Sequence, residues 1–369
     1  MQSNTIGHII QLTTFGESHG KAMGGVITGF PAGLLVDMDF IQQELAKRKP
    51  GQSELTTQRK EEDEVEFLSG IFEGITLGTP IGFIIRNKDQ QSADYERLKD
   101  VYRPSHADYT WQLKFGIRDY RGGGRSSARE TVSRVVAGAL AKQLLQHWNI
   151  SVSAYVSAVG EVQCPFSYTE LNLNATYLNA VRCPHTETAE RMTQAIEQAR
   201  REGDTLGGVI TCVIQQVPAG LGQPVFAKLH ADLAHALMGI NAVKGIEVGD
   251  GFSITEKKGS EVKDVWIKKE GKESFQTLTN HSGGIQGGIS NGQDILLRVA
   301  FKPVSTLQQP LEVIDLHGEQ KTLNPEGRHD PCVLPRAAVI VEAMAAWVIC
   351  DHLLWAGTDT LEKIKKLWG

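Results

Sequence analysis

Hydrophobic and polar positions change period several times along this 369-residue chain, and the changes mark out its elements. The runs Gly24 to Phe30 and Ile81 to Ile85, punctuated by Gly and Thr, predict short strands. Between them Asp39 to Lys49 has helical spacing and meets a stop signal at Pro50-Gly51. Val132, Val135, Val136, Ala139, Leu140 and Leu144 recur at helical intervals, so that helix turns an apolar face inward. Glu187 to Glu202 is an amphipathic, charge-rich helix, and Gly207 to Val217 alternates like a strand before Pro218-Ala219-Gly220. A helix over Phe226 to Met238 comes next, then a polar, lysine-rich loop or hairpin over Val262 to Ser274, expected to be the most mobile segment. A glycine-rich turn at Gly283 to Gly288 leads into an alternating strand, Ile295 to Phe301. Ala337 to Gly357 is the most apolar stretch, but Glu342, Asp351 and His352 interrupt it, which suits a buried helix better than a bilayer span. With no internal repeat and no dividing linker, the pattern predicts one large α+β domain over residues 1–369, helices packed on antiparallel sheets.

Composition narrows the function classes. A net charge of -5 argues against a general nucleic-acid binder, so any basic site has to be local. Five widely spaced cysteines without a Cys-x-x-Cys pair signal neither a disulfide framework nor a structural zinc site, and a reducing cytoplasm is the expected compartment. Met1 to Leu12 lacks the basic and apolar regions of a secretory signal.

The strongest chemical signal is Arg121-Gly122-Gly123-Gly124-Arg125-Ser126-Ser127-Ala128-Arg129-Glu130, three arginines and two hydroxyls on a glycine loop that enters a helix. Ser127 with Glu130 reads as a capping box, and the first-turn amides then favour an anion. Gly16-Glu17-Ser18-His19-Gly20 matches the elbow of serine hydrolases formally, but only one strand precedes it and another follows, which leaves a turn presenting Ser18 and His19. A histidine there suits proton transfer near neutrality, and a structural histidine in a turn is the competing reading. In Arg103-Pro104-Ser105-His106-Ala107-Asp108 the acid is placed to orient the imidazole or cap a helix. Gly327-Arg328-His329-Asp330-Pro331-Cys332, with Arg336 behind it, clusters charge at the start of the buried helix and suggests an anion. Neither a P-loop nor a dinucleotide fingerprint occurs.

Taken in order, these pieces resemble the chorismate synthase family over nearly the whole chain. The segments are Gly16 to Gly20, Arg103 to Asp108, Gly124 to Thr131, Asn241 to Gly245, Gly283 to Ser290, Lys302 to Thr306 and Arg328 to Cys332. The resemblance implies a β-α-β sandwich with antiparallel sheets around helices, and a lyase that removes phosphate and the C6 hydrogen from 5-enolpyruvylshikimate 3-phosphate. It implies reduced FMN as cofactor without net redox change, a homotetramer, and the last common step of aromatic biosynthesis. Under it, Ser18, Arg125, Ser126, Ser127, Asn241, Ala242, Gly287, Lys302, Pro303, Val304, Ser305, Thr306 and Arg328 contact the flavin. Arg48, Arg103 and Arg129 match arginines of the substrate or nucleotide site, and His19, His106 and Asp330 carry catalysis: His19 on the leaving phosphate, His106 on the charge of the reduced flavin, Asp330 at flavin N5. Charge counting agrees, since substrate and cofactor together bring several negative charges and arginine suits bidentate recognition of phosphate and carboxylate. Two positions depart from the family pattern: Ser105 stands where glycine is usual, and Glu54 where an arginine linked to NADP is common. The chain is short for members that reduce their own flavin, so an external reductant is expected; residues 47–58 are candidate lids. A non-enzymatic flavin or phosphosugar binder on the same scaffold is the alternative, and a serine hydrolase at Gly16 to Gly20 a weaker one.

Overall fold

Helix α1 (Met38–Arg48) forms where the period places it, because Asp37 caps its start by accepting from the Phe40 N–H at 2.9 Å. Lys47 and Arg48 in its last turn complement the helix dipole. The other α-helices among the described residues are α2 (Asp108–Phe115), α3 (Thr131–Leu145), α4 (Thr186–Arg201), α5 (Leu229–Met238), α6 (Leu334–Trp355) and α7 (Leu361–Trp368). The computed structural model describes residues 3–49, 63–88, 98–268, 274–324 and 330–369.

Two five-stranded antiparallel sheets flank the helices. In the first, the strands run in the order Thr5–Ile6, Gln11–Phe15, Ala22–Thr28, Ile81–Arg86, Val65–Phe67. In the second the order is Val162–Gln163, Ser151–Val159, Gly208–Gln215, Ile295–Phe301, Val243–Val248. Helix α3 lies on the first sheet, where Ser133 Oγ donates to the Gly24 carbonyl at 3.1 Å, and α6 lies on Ser151–Val159 and Gly208–Gln215 of the second. The two helices touch almost backbone to backbone, since a Cβ on Gly138 would stand 2.3 Å from that of Ala343. One hydrophobic cluster runs through both sheets and the helices between them, and the architecture is α+β as the period predicted.

The charged residues of α6 explain how so apolar a helix is held. Asp351 accepts the backbone N–H groups of His8, Ile9 and Ile10 at 2.8, 2.7 and 2.9 Å, tying down the N-terminal segment. Glu342 accepts from the Ala154 N–H at 2.9 Å and pairs with Lys142 of α3 at 2.5 Å. By length and composition α6 would cross a bilayer, yet 89% of its apolar window is buried inside the protein.

Two expected elements differ in detail. Helix α5 begins at Leu229 rather than Phe226, whose ring is 93% exposed. Val262 to Ser274 contains one arm of a hairpin, Trp266–Lys268 paired with Phe275–Thr277, and residues 269–273 lie outside the described residues.

Candidate active site

The turn Gly16 to Gly20 joins antiparallel strands Gln11–Phe15 and Ala22–Thr28, so it is no strand-to-helix elbow and the hydrolase alternative loses its geometry. The Gly20 N–H donates to the Glu17 carbonyl at 2.9 Å, closing a tight turn that holds Ser18 and His19. Ser18 Oγ donates to the Gly122 carbonyl at 3.2 Å. His19 is buried against the same residue: Gly122 has φ +63, and a Cβ on it would fall 2.4 Å from the imidazole Cδ2. Glycine is therefore demanded here twice, by conformation and by the ring packed over it.

The arginine loop enters α3 by two short 3-10 turns, Gly124–Ser126 and Ala128–Glu130, in place of the expected capping box. Ser127 Oγ accepts from the Arg129 N–H at 3.4 Å, but Glu130 does not reach back; it pairs with Arg134 one turn on at 2.9 Å. An acid four residues before an arginine finds it on the helix surface more readily than it finds the cap. The three arginines also diverge. Arg121 is exposed and folds onto Asp119 at 2.9 Å. Arg125 crosses to the first sheet, donating to Thr14 Oγ1 at 2.6 Å and the Gly16 carbonyl at 3.2 Å. Arg129 turns inward, where it pairs with Asp63 and donates through Nε to Asn87 Oδ1 at 3.1 Å.

Asp63 is fully buried and also binds Arg48 at 3.1 Å. Arg48, 2% exposed, further donates to Thr131 Oγ1 and the Ala128 carbonyl, both at 3.0 Å, so its guanidinium acts as a strut beneath the loop. Asn87 completes the connection to the histidine turn, donating through Nδ2 to the carbonyls of Glu17 at 3.1 Å and Gly20 at 2.9 Å.

On a second group of segments, His106 lies beside Thr306. Its Nδ1 is 2.9 Å from the Pro104 carbonyl, which only accepts, so Nδ1 carries the proton in the neutral ring and Nε2 accepts from Thr306 Oγ1 at 3.1 Å. Burial first, then the charge of Arg103, push the His106 pKa below its ordinary value of 6.5. Asp108 neither orients this imidazole nor caps α2; it takes a bidentate pair from Arg103 at 2.8 and 3.0 Å and lies 3.3 Å from Arg118. Burial would raise its carboxyl, but the two guanidiniums outweigh that and hold it below the ordinary 3.8. Ser105 sits at φ +59, the left-handed region that glycine enters freely, which gives the departure from the family pattern a physical cost. Its carbonyl is fixed there by Lys302 Nζ and Ser305 Oγ, each at 3.1 Å.

The two groups of segments close into a ring. Asn241 Nδ2 donates to the Ser126 carbonyl at 3.0 Å, and the Ala242 carbonyl, at φ +69, accepts from the Lys302 N–H at 2.9 Å. Pro303 and Val304 continue that segment to Thr306, and the Val304 carbonyl accepts from Thr205 Oγ1 at 2.8 Å. Thr306 and Asp330 line one small cavity; Asp330 pairs with Arg336, whose Nε donates to the Arg48 carbonyl at 3.2 Å. Gly287 stands apart, in the hairpin whose Gly288 carbonyl accepts from the first amide of α5, a helix length from Asn241. Arg328, His329, Glu54 and most of the candidate lid fall at 325–329 and 50–62, outside the described residues. A cavity of about 460 Å³ beside α4, lined by residues such as Leu178, Thr186 and Glu190, holds none of these groups.

Sequence reasoning missed Asp63, Asn87 and Asp119. Each is a lone polar residue outside any glycine-rich or histidine motif, and only the fold brings Asp63 to the two arginines and Asp119 near the His19 ring.

Residues 10–354 match the family model described as chorismate synthase. The chain belongs to the chorismate synthase family. It is 58% identical over 351 residues to the chorismate synthase of Bacteroides fragilis (strain YCH46), covering 95% of this chain and 98% of that protein. It is 59% identical over 358 residues to that of Phocaeicola vulgatus, covering 97% and 99%. A crystal structure of a chorismate synthase superposes with a TM-score of 0.76 at 30% identity, covering 98% of this chain and 97% of the other. Membership makes the chain an enzyme, a lyase of aromatic biosynthesis.

Proposed function

We propose that the ring encloses the site where 5-enolpyruvylshikimate 3-phosphate loses phosphate and its C6 hydrogen to give chorismate. The observation that carries this reading is the meeting of the His19 turn with the arginine loop, His19 against Gly122 and Arg129 tied through Asn87 to the same turn. It sets a proton donor beside cationic groups, the arrangement that departure of a phosphate requires.

The residues fit a flavin phosphate and ring. Asn241 Oδ1 is buried without a hydrogen-bond partner, an acceptor aimed at a missing donor. Ser126, Ser127, Ala242, Lys302, Ser305 and Thr306, with Arg125 and Ser18 at the edge, would hold FMN, joined by Gly287 and Arg328. Bound reduced FMN supplies electron density to the reacting ring without net redox change. His19 as imidazolium protonates or stabilises the leaving phosphate, whose second pKa near 6 is close to that of histidine. His106, kept neutral by its burial and by Arg103, offers Nε2 to a hydroxyl or N–H and adds no charge beside the reduced cofactor. Asp330 accepts a proton at the cofactor face, steadied by Arg336. Arg103 and Arg129 receive the substrate's anionic groups, while Arg48 fixes Asp63 beneath them.

Supplied with reduced FMN under anaerobic conditions, the purified protein is expected to release phosphate and form chorismate in equal amounts. Flavin binding without either product would end the lyase reading. His106→Ala is expected to lower turnover far more than flavin affinity; equal losses would assign His106 to binding alone. NADPH with oxidised FMN is expected to support little turnover, in keeping with an external reductant. A homotetramer in the cytoplasm is the expected form, and light scattering of the purified protein measures its mass.

A further inference from the structure

Asn87 has no part in the roles above, yet its side chain touches both an arginine of the site and the turn bearing His19. It follows strand Ile81–Arg86, and its own N–H donates to the Lys21 carbonyl at 3.1 Å, so its backbone is anchored to the neighbouring strand. Its amide orientation is forced by chemistry. Arg129 Nε can only donate, so it meets Oδ1; the Glu17 and Gly20 carbonyls can only accept, so they meet Nδ2. Those carbonyls bracket Ser18 and His19, and the Glu17 carbonyl also closes the turn with the Gly20 N–H at 2.9 Å. The amide therefore lies across the turn as a clamp, with the guanidinium of Arg129 at its other end.

We propose that Asn87 is a positioning residue that fixes the His19 imidazole relative to the substrate-binding Arg129. This rests on the reading of His19 as the proton donor and Arg129 as a substrate arginine. An anion drawn to Arg129 loads the same amide that holds the histidine turn, so substrate position and donor position are set by one side chain. Without it Ser18 would keep its bonds to the glycine loop and His19 its packing on Gly122, while the turn would lose this tie to Arg129.

Asn87→Asp separates the two halves of the clamp, because it keeps an acceptor for Arg129 and replaces the donor to the turn with a second acceptor. Anaerobic assays with reduced FMN are expected to show kcat down on the order of 100-fold, the scale of an ångström's misplacement, with KM changed less than about threefold. Asn87→Ala removes both halves, so KM is expected to rise as kcat falls. In proton–carbon spectra of histidine-labelled protein, the His19 ring signal, assigned by its absence in His19→Asn, is expected to move in Asn87→Asp while the His106 signal stays. Because Asn87 is half-buried beyond a strand end, both variants are expected to fold. Wild-type kcat in Asn87→Asp, or a loss of kcat with the His19 signal unmoved, would overturn the proposal. So would equal disturbance of both histidine signals, the mark of general loosening. If His19→Asn keeps wild-type turnover, the proton-donor reading itself fails and the proposal with it; an inactive His19→Asn beside an active Asn87→Asp removes the proposal alone.

Discussion

Helix α3 has an ionic cluster near each of its ends, both shared with the C-terminal part of α1, and the two are built on different rules. At the far end Lys142 sits between Glu44 and Glu342, at 2.5 Å from each, with Lys47 completing two positive and two negative charges. At the near end, among the described residues, the single carboxylate of Asp63 serves both Arg48 and Arg129, and in the second group of segments Asp108 serves both Arg103 and Arg118. Buried charge is costly unless balanced, and the far cluster meets that condition within the chain. In each near cluster, among the described residues, one carboxylate is shared by two guanidiniums, a grouping of cations that suits a polyanionic substrate.

Substitutions can break this contrast. Lys142→Met leaves two buried carboxylates facing each other and is expected to cost about 3–5 kcal/mol in urea unfolding. The deficit is expected to shrink as pH falls, since the Glu44 carboxyl, which Lys142 and Lys47 hold down in the wild type, would now take up a proton more readily. Arg129→Met has the opposite signature: kcat/KM is expected to drop on the order of 100-fold, the worth of a charged hydrogen bond or two, while Asp63 keeps Arg48 and the unfolding midpoint moves less than for Lys142→Met. Comparable melting losses in the two variants would dissolve the distinction.

The Arg103 and Arg118 pairs depress the Asp108 carboxyl, so their stabilisation is present above its unfolded value near 3.8 and is lost as pH falls through the lower folded value. Asp108→Asn is accordingly expected to be less stable than wild type by about 2 kcal/mol at pH 6, with the gap closing in strongly acidic buffer. A gap that stays constant to pH 2 would mean the charge on Asp108 is not what stabilises that turn. Smallest is Ser105→Gly, which releases a left-handed serine; thermal melts are expected to show a gain of up to about 1 kcal/mol after the glycine's own entropy cost.

Much of the scaffold was legible because its signals are local. The apolar period from Val132 to Leu144 and the stop at Pro50 act within a few residues, and the charges inside Ala337 to Gly357 told a core helix from a membrane one. The site was legible as motifs and illegible as contacts. Ser127 and Glu130 have the spacing of a capping box, but competition from Arg134 decides where Glu130 goes, and that depends on the helix already being formed. Asp108 stood two residues from His106 and was drawn instead to Arg103 and Arg118. Asp63 and Asn87 had no motif to announce them, since their meaning comes from residues that only the folded sheets bring near.

The contact between Gly138 and Ala343 has a consequence for how the protein is made. Helix α3 cannot complete its packing until the α6 segment exists, because nothing earlier in the chain supplies the small residue that fits against Gly138. Asp330 and Arg336, which close the ring of contacts, arrive with that same helix. A chain emerging from the ribosome therefore leaves the α6-facing side of α3 uncovered until residues 334–355 are made, the condition under which unfinished proteins associate wrongly. The contacts that join Asp330 and Arg336 to Arg48 can therefore form only after α6 has been made.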